Sequence, residues 1–278
     1  MYTQIHYDVD DPVGLITLSR PETLNAWTAT LDGELRAAVA AMADDRRVVA
    51  IVITGAGRGF CSGADMGLLG AVAHSGVARK STDPWEQDQG DLAGRFSYLM
   101  AVDKPVIAAI NGAVAGMGVA LALCCDLRVM TPDAYLTTAF ARRGLIAEWG
   151  VGWMLPRLVG SAAALDLLFS ARRVHGEEAH RIGLANRVVP EADLLQHCRD
   201  YVTDLAEHCS PASLAVIKHQ VYSDLHRGLG RAERSSYDAM DQSLKSSDFR
   251  EGIAAYQQRR PPRFERRGRP STAPAAQP

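Results

Sequence analysis

Residues 104–118, Lys-Pro-Val-Ile-Ala-Ala-Ile-Asn-Gly-Ala-Val-Ala-Gly-Met-Gly, restrict the fold more than any other part of the chain. A continuous apolar run passes through a turn of small residues into the start of a helix. The first N–H groups of a helix have no intrahelical partner and its dipole favours negative charge there, so this junction can hold a developing oxyanion. A second small-residue turn, Gly55 to Asp65, follows another apolar run, Val48 to Thr54. Either turn alone is a tight connection that needs glycine for its backbone. As a pair they can supply the two donors of an oxyanion hole.

Neither turn reads as a nucleotide site. Gly55 to Gly59 lacks the Gly-Lys-Ser/Thr ending of a phosphate-binding loop, and neither turn shows Gly-x-Gly-x-x-Gly with a following acidic residue. A formal net charge of −2 over 278 residues argues against a surface-wide field for nucleic acid. The one basic cluster, Arg259, Arg260, Arg263, Arg266, Arg267 and Arg269, reads beyond Phe264 as a solvated tail. The N-terminus has neither the basic start nor the apolar core of an export signal. Asn111, Gly112, Gly116 and Gly118 interrupt the apolar residues near 105–125, a poor membrane span. Five cysteines without Cys-x-x-Cys spacing fit reduced thiols in a cytosol better than disulfides or a zinc site. The expectation is a cytoplasmic protein without metal, membrane or nucleic-acid partners.

The segments Ile5–Asp8 and Gly14–Leu18 flank Asp10-Asp11-Pro12 and predict a hairpin. Leu31, Leu35, Ala38, Val39 and Met42 fall at helical spacing, and Val48–Thr54 reads as a buried strand. Strand, turn, helix and strand recur through Val106–Ile110, Gly116–Leu123 and Leu127–Met130, so the core is α/β. Residues 67–98, with scattered glycines and charges, predict a long loop; the family resemblance described below implies that this region covers an acyl pocket, which Trp85 and Phe96 either line or merely pack beside. Beyond Pro190 the chain turns helical, first over Leu194–Leu205, then from a helix capped by Ser210 with Pro211 at its first position, and on through about Tyr256.

Five segments in order carry a resemblance: Leu24-Asn25-Ala26, Gly59 to Asp65, Lys104 to Gly112, Cys125-Asp126-Leu127-Arg128, and Gly183 to Val189. Together they resemble the crotonase superfamily, the enoyl-CoA hydratase/isomerase group, over residues 3 to 264. The resemblance implies a crotonase-like ββα spiral core with the CoA and acyl site over 1–192. It further implies a C-terminal helical region over 193–264 that builds a homotrimer or homohexamer, leaving 265–278 as a disordered tail. The substrate implied is an acyl-CoA thioester, with coenzyme A part of the substrate and no separate cofactor.

The same resemblance assigns the oxyanion donors to the backbone N–H groups of Ala64 and Met117. It lays Asn25, Ala26, Ala64, Asp65, Met66 and Gly67 along the substrate, with the Arg259–Arg263 cluster a candidate for the CoA phosphates. Hydratases of this family use two glutamates; the matching positions here hold Ala120 and Phe140, neither of which moves a proton, and Phe140 is left as a substrate contact. Arg143-Gly144-Leu145-Ile146-Ala147-Glu148-Trp149-Gly150 resembles the Gly-Leu-Ile-Thr-Glu-Gly-Gly run of enoyl-CoA isomerases, which makes Glu148 the catalytic candidate. One carboxylate suits double-bond migration from C3 to C2, since a single base can take a proton at Cα and return it at Cγ. Three alternatives stand beside this: a 2-enoyl-CoA hydratase with atypical water activation, a non-catalytic acyl-CoA binder, and a Glu148 that is only a loop carboxylate or pairs with Arg142, Arg143 or Arg157. Asp65 and Asp126 read as hydrogen-bonding turn and strand-end residues. Ser62 lies outside a Gly-x-Ser-x-Gly elbow, against a hydrolase.

Overall fold

The opening hairpin starts the larger of two sheets. In a computed structural model, which describes residues 2–65, 67, 70, 74 and 91–268, β1 (Ile5–Asp10) and β2 (Val13–Leu18) pair antiparallel, Ile5 opposite Leu18 and Asp10 opposite Val13. Then β3 (Ala50–Gly55), β5 (Val106–Ile110), β7 (Leu127–Met130) and β10 (Arg187–Val188) add in parallel, in the order β1-β2-β3-β5-β7-β10. Between these strands the chain crosses to a second, smaller sheet. There β4 (Gly59–Cys61), β6 (Ala113–Ala115) and β8 (Tyr135–Thr137) run parallel, and β9 (Val174–His175) closes the edge antiparallel to β8.

Each long strand is thus followed by a short one in the other sheet and then by a helix, a repeating ββα spiral. The crossing helices are α2 (Tyr98–Ala101), α3 (Met117–Cys124) and α4 (Val151–Ser170). Every residue of β3 and β5 is buried, as a parallel sheet covered on both faces requires. Alternate side chains serve different cores: Ile51, Ile53, Ala108 and Ile110 belong to the same core as the face of α1 (Ala29–Asp44) that carries Leu31, Leu35, Ala38, Val39 and Met42. Val52, Ile107, Ala109 and Val129 meet Leu194, Cys198, Val202 and Leu205 of a later helix, α6 (Leu194–His208). The short helix α5 (Gly176–Arg181) leads into β10. Thr28 caps α1, its side chain accepting the Leu31 N–H at 3.1 Å.

Helix α3 is buried at all eight positions and starts hard against β4. A Cβ on Gly118 would lie 2.2 Å from the Cys61 carbonyl oxygen, so only glycine lets the helix approach this closely. Helix α4, at 20 residues and mean hydropathy 1.3, has the length and composition of a membrane span. It is bent by the non-helical Gly160 (φ 77°, ψ 159°), which divides it into two pieces too short to cross.

In the C-terminal stretch, α6 packs on the large sheet, so its apolar stripe belongs to the core as much as the strands do. Next come α7 (Pro211–Asp224), α8 (Leu229–Lys245) and α9 (Ser247–Gln258). Ser210 caps α7 with a 3.1 Å bond from the Ser213 N–H. The Lys218 ammonium on α7 reaches into the core to Asp126 (2.7 Å), the Leu99 carbonyl (2.8 Å) and the Lys104 carbonyl (3.0 Å). Helix α8 buries nothing and exposes Leu229, Tyr237, Met240 and Leu244.

The expected disordered tail needs correction at its start. Arg266 pairs with Asp11 at 3.4 Å, Arg267 with Asp103 at 2.8 Å and Glu265 with Arg46 at 3.5 Å, so residues 265–268 lie on the core, held by charges far away in sequence. Residues 269–278, Trp85 and most of the expected 67–98 loop lie outside the described residues.

Candidate active site

Parallel pairing decides where the chemistry collects. Since β4, β6 and β8 run the same way, their C-terminal ends fall on one edge, where open α/β sheets bind ligands. The chain leaves β4 through Ser62-Gly63-Ala64 and β6 through Gly116 into α3, so both small-residue turns lie side by side. A Cβ built on Gly63 would be 3.5 Å from the Met117 amide nitrogen.

The direction of each amide follows from the backbone. Trp27 forms a parallel bridge with Ala64, its N–H donating to Gly63 O at 2.7 Å and its carbonyl accepting from Asp65 N–H at 3.3 Å. In that pattern the N–H of Ala64 itself points away from Trp27. Met117 is the first residue of α3, after the non-helical Gly116 (φ 50°, ψ −115°), and its N–H is one of the helix's unpaired donors. Among the described residues neither amide donates to a protein acceptor.

A cavity of about 40 Å³ opens between the turns, and Ala64, Met117, Phe140, Arg143 and Glu148 line it. Ala120 and Phe140, which the resemblance set against the hydratase glutamates, are both buried. Glu148 sits in the loop ahead of α4, its carbonyl accepting the Val151 N–H at 3.0 Å. The next two residues are both left-handed, Trp149 at φ 55° and Gly150 at φ 77°.

Burial pushes the Glu148 carboxyl above the usual glutamate range, and the neighbouring Trp149 side chain opposes that rise. The arginine pairing left open by the sequence does not form among the described residues. Arg142 donates to Ser170 O at 2.9 Å, and Arg157 donates to Trp153 O at 2.8 Å while its guanidinium lies 3.7 Å over the Trp153 ring.

Beyond Trp149 lies a much larger cavity, about 480 Å³, walled by Phe96, Met100, Trp149, Trp153 and Met154. Phe96 therefore lines a pocket as well as packing: it meets Trp27 edge-on at 4.9 Å and Trp149 at 6.5 Å. Trp153 and Met154 were not legible as site residues, because only the bend of the chain after Glu148 brings them to Phe96 and Met100.

The segment expected along the substrate divides. Asn25 is fully buried and its side chain is spent on the scaffold: Nδ2 donates to Ala56 O (3.0 Å) and Gly59 O (2.7 Å), and Oδ1 accepts from Arg20 N–H (2.8 Å). Any contact of Asn25 along the substrate is therefore left to its backbone. The carbonyl of buried Ala26 accepts from Arg20 Nη1 at 2.6 Å. Asp65 accepts the Gly67 N–H at 3.0 Å and pairs with Arg20 at 3.2 Å, the turn role read from the sequence. Gly67 is exposed, and Met66 lies outside the described residues.

Of the basic cluster, Arg260 grips Glu251 with two bonds of 2.6 and 2.9 Å. The Ser62 hydroxyl donates to Thr23 O at 2.9 Å, so it is no poised nucleophile.

Comparison with known proteins agrees with this geometry along the whole chain. A family model described as enoyl-CoA hydratase/isomerase matches residues 8–267. A Rhodobacter capsulatus protein named "Probable enoyl-CoA hydratase" is 36% identical over 265 residues, 95% of this chain and 98% of that one. The 1,2-epoxyphenylacetyl-CoA isomerase of Escherichia coli is 32% identical over 259 residues, 92% of this chain and 96% of its own. The crystal structure of an enoyl-CoA hydratase from Polaromonas sp. JS666 superposes with a TM-score of 0.83 at 29% identity, covering 94% of this chain and 99% of that one. Sequence and fold alike place the chain in the enoyl-CoA hydratase/isomerase family of the crotonase superfamily, as an enzyme of that class.

Proposed function

We propose that the protein moves the double bond of an acyl-CoA thioester from C3 to C2, using Glu148 as the single acid and base. The observation that carries this reading is the cleft itself: Glu148 is the one carboxylate among the described residues lining it, and it faces the turns that hold the Ala64 and Met117 amides. Those amides receive the thioester oxygen, each such donor lowering the barrier by about 3–4 kcal/mol. Glu148 removes the Cα proton, charge spreads from the thioester oxygen through a dienolate, and the same carboxylic acid returns the proton at Cγ. A half-buried carboxylate with a raised pKa is a stronger base once ionised and holds its proton long enough to deliver it.

In this reading the CoA moiety follows Ala26, Ala64, Asp65 and Gly67, and the acyl chain extends past Phe140 and Trp149 into the 480 Å³ cavity. The exposed apolar residues of α8 and α9 are read as the contacts of a homotrimer or homohexamer. All five cysteines are free thiols, which fits a cytoplasmic setting.

Hydration of a 2-enoyl-CoA is the second reading, favoured by the hydratase names of several relatives. Incubation with 2-enoyl- and 3-enoyl-CoA panels in heavy water tests both. Isomerisation yields 2-enoyl-CoA from the 3-enoyl-CoA, with deuterium at Cγ only to the extent that the Glu148 acid exchanges with solvent before returning its proton; a 3-hydroxyacyl-CoA product without migration overturns it in favour of hydration.

A further inference from the structure

The strands of the smaller sheet lie in the order β4-β6-β8-β9, and the order of groups along their shared C-terminal edge follows from it. Ala64 follows β4, Met117 opens the helix after β6, and Thr137 ends β8. A thioester whose oxygen meets the two amides, with its CoA along Ala64 and Gly67 on the β4 side, carries its acyl group toward β8. There a cavity of about 290 Å³ is lined by Thr137, Ala139, Arg142, Arg143, Ala171 and Arg173. Arg143 also lines the cleft that holds Glu148, so the two spaces share a wall.

Three of these six residues are arginines and none is acidic. The Thr137 hydroxyl donates to Ala171 O at 2.8 Å and ties the end of β8 to the residue after α4. Arg142 spends its Nε on Ser170 O (2.9 Å) and keeps its two Nη groups, while the Arg173 guanidinium lies 4.4 Å over the Tyr135 ring. Among the described residues no carboxylate pairs with Arg142, Arg143 or Arg173, whereas Arg172 is held by Asp166 and Glu178, each at 2.8 Å. The carbonyl end of α4 answers only part of this charge, since a helix terminus is equivalent to about half an elementary charge. A guanidinium is always protonated, and like charges around one cavity repel, so an anion seated among the three relieves that repulsion.

We propose that this cavity receives a carboxylate carried at the far end of the acyl group, so that the site takes mono-CoA thioesters of dicarboxylic acids. The inference rests on the CoA placement given for the proposed reaction. It adds a charged acyl class to the apolar chains that fit the 480 Å³ cavity. A planar guanidinium pairs with a carboxylate through two parallel hydrogen bonds, a match that a methyl end cannot make.

The test measures, by calorimetry, binding of octanedioyl mono-CoA and octanoyl-CoA, which differ only in the carboxylate that replaces the terminal methyl group. The unaltered protein is expected to prefer the dicarboxylic thioester by about tenfold at low salt, and the pantetheine thioesters of the same two acids should show the same preference. In Arg142→Gln/Arg173→Gln the ratio of the two Kd values should fall to within about twofold of one. Arg173→Gln alone, expected to lower the ratio about threefold, serves if the double variant fails to fold. A ratio near one in the unaltered protein, or a preference kept in the folded variants, overturns the proposal. Equal weakening of both CoA thioesters with the pantetheine thioesters spared gives the arginines to the CoA phosphates and overturns it too. So does a variant whose only change is its mass in light scattering, which makes the cluster a contact between copies. Binding is read without turnover, so an absence of double-bond migration sinks the proposed reaction and leaves this inference standing, while a lost preference sinks this inference alone.

Discussion

Gly63 lies against Ala115 so closely that a methyl group on it would stand 2.8 Å from the Ala115 carbonyl oxygen. Its φ of 93° is one that alanine resists as well. The obstacle is main chain and cannot swing aside, so Gly63→Ala must separate the two turns. We expect turnover to fall by about 10²–10³-fold, the loss typical of one misplaced oxyanion donor, with folding preserved. Enoyl-CoA turnover alongside circular dichroism checks this; a variant that keeps more than about a tenth of its activity removes the two amides from the mechanism.

Replacing the proposed base gives an effect of opposite sign on rate and stability. Glu148→Gln is expected to lower kcat by about 10²–10⁴-fold. Because burial raises the folded-state pKa, the folded protein binds more protons than the unfolded chain just above the ordinary glutamate range, and stability falls as pH rises through that window. At neutral pH the glutamine variant should therefore melt at or above the unaltered protein, and the kcat/KM profile of the latter should show an acid limb centred above 4.5. Calorimetry and a pH–rate profile read the two halves separately.

Asp126 ties the last helices to the sheet. It accepts the Val106 N–H (2.7 Å), the Tyr222 hydroxyl (2.7 Å) and the buried Lys218 ammonium (2.7 Å). Asp126→Asn leaves that ammonium without its counter-charge, and the cost should be about 3–5 kcal/mol in urea unfolding. Adding Lys218→Met should recover part of it; simple additivity of the two losses would show that the pair is not coupled.

Lys104 provides a second pH signal, at the alkaline end. Its ammonium donates to Met42 O (2.9 Å) and Asp45 O (2.6 Å), and burial pulls its pKa down to about 8. From there up to 10.5 the unfolded chain holds a proton that the folded protein has lost, so stability should rise with pH across this interval. Lys104→Met should flatten that rise relative to the unaltered protein in denaturant titrations at successive pH values.

Filling the larger cavity should discriminate among substrates. Met154 lines it, and Met154→Trp would occupy much of the space assigned to a long acyl chain. kcat/KM for dodecenoyl-CoA is expected to fall at least about tenfold relative to butenoyl-CoA. Equal losses on both would place the chain elsewhere.

The elements with a clear period were legible in the sequence. The β1–β2 hairpin, the stripe Leu31–Leu35–Ala38–Val39–Met42, and the β3, β5 and β7 runs all form as expected, because local pattern and burial agree there. The strands β4, β6 and β8 escaped notice: each has three residues, and each is stabilised by neighbours some fifty or twenty positions away that no local window contains. Helix α4 was hidden by Pro156 and Gly160, and the bend at Gly160 shows that the interruption is real.

At the site, the glycine turns could be read from their small residues, and Glu148 was singled out by the family resemblance. The fate of Asn25 could not, since two of its three partners, Ala56 and Gly59, lie more than thirty residues away. Neither could the docking of Arg266 and Arg267, whose acids lie at positions 11 and 103.

Both contacts assigned to the thioester oxygen are peptide groups, which every amino acid except proline brings with it. Mutation at codon 64 or 117 can crowd the cleft but, short of proline, cannot delete a donor. Charge stabilisation built this way survives most substitution, so the side chains around the cleft are free to change which group carries the hydrogen.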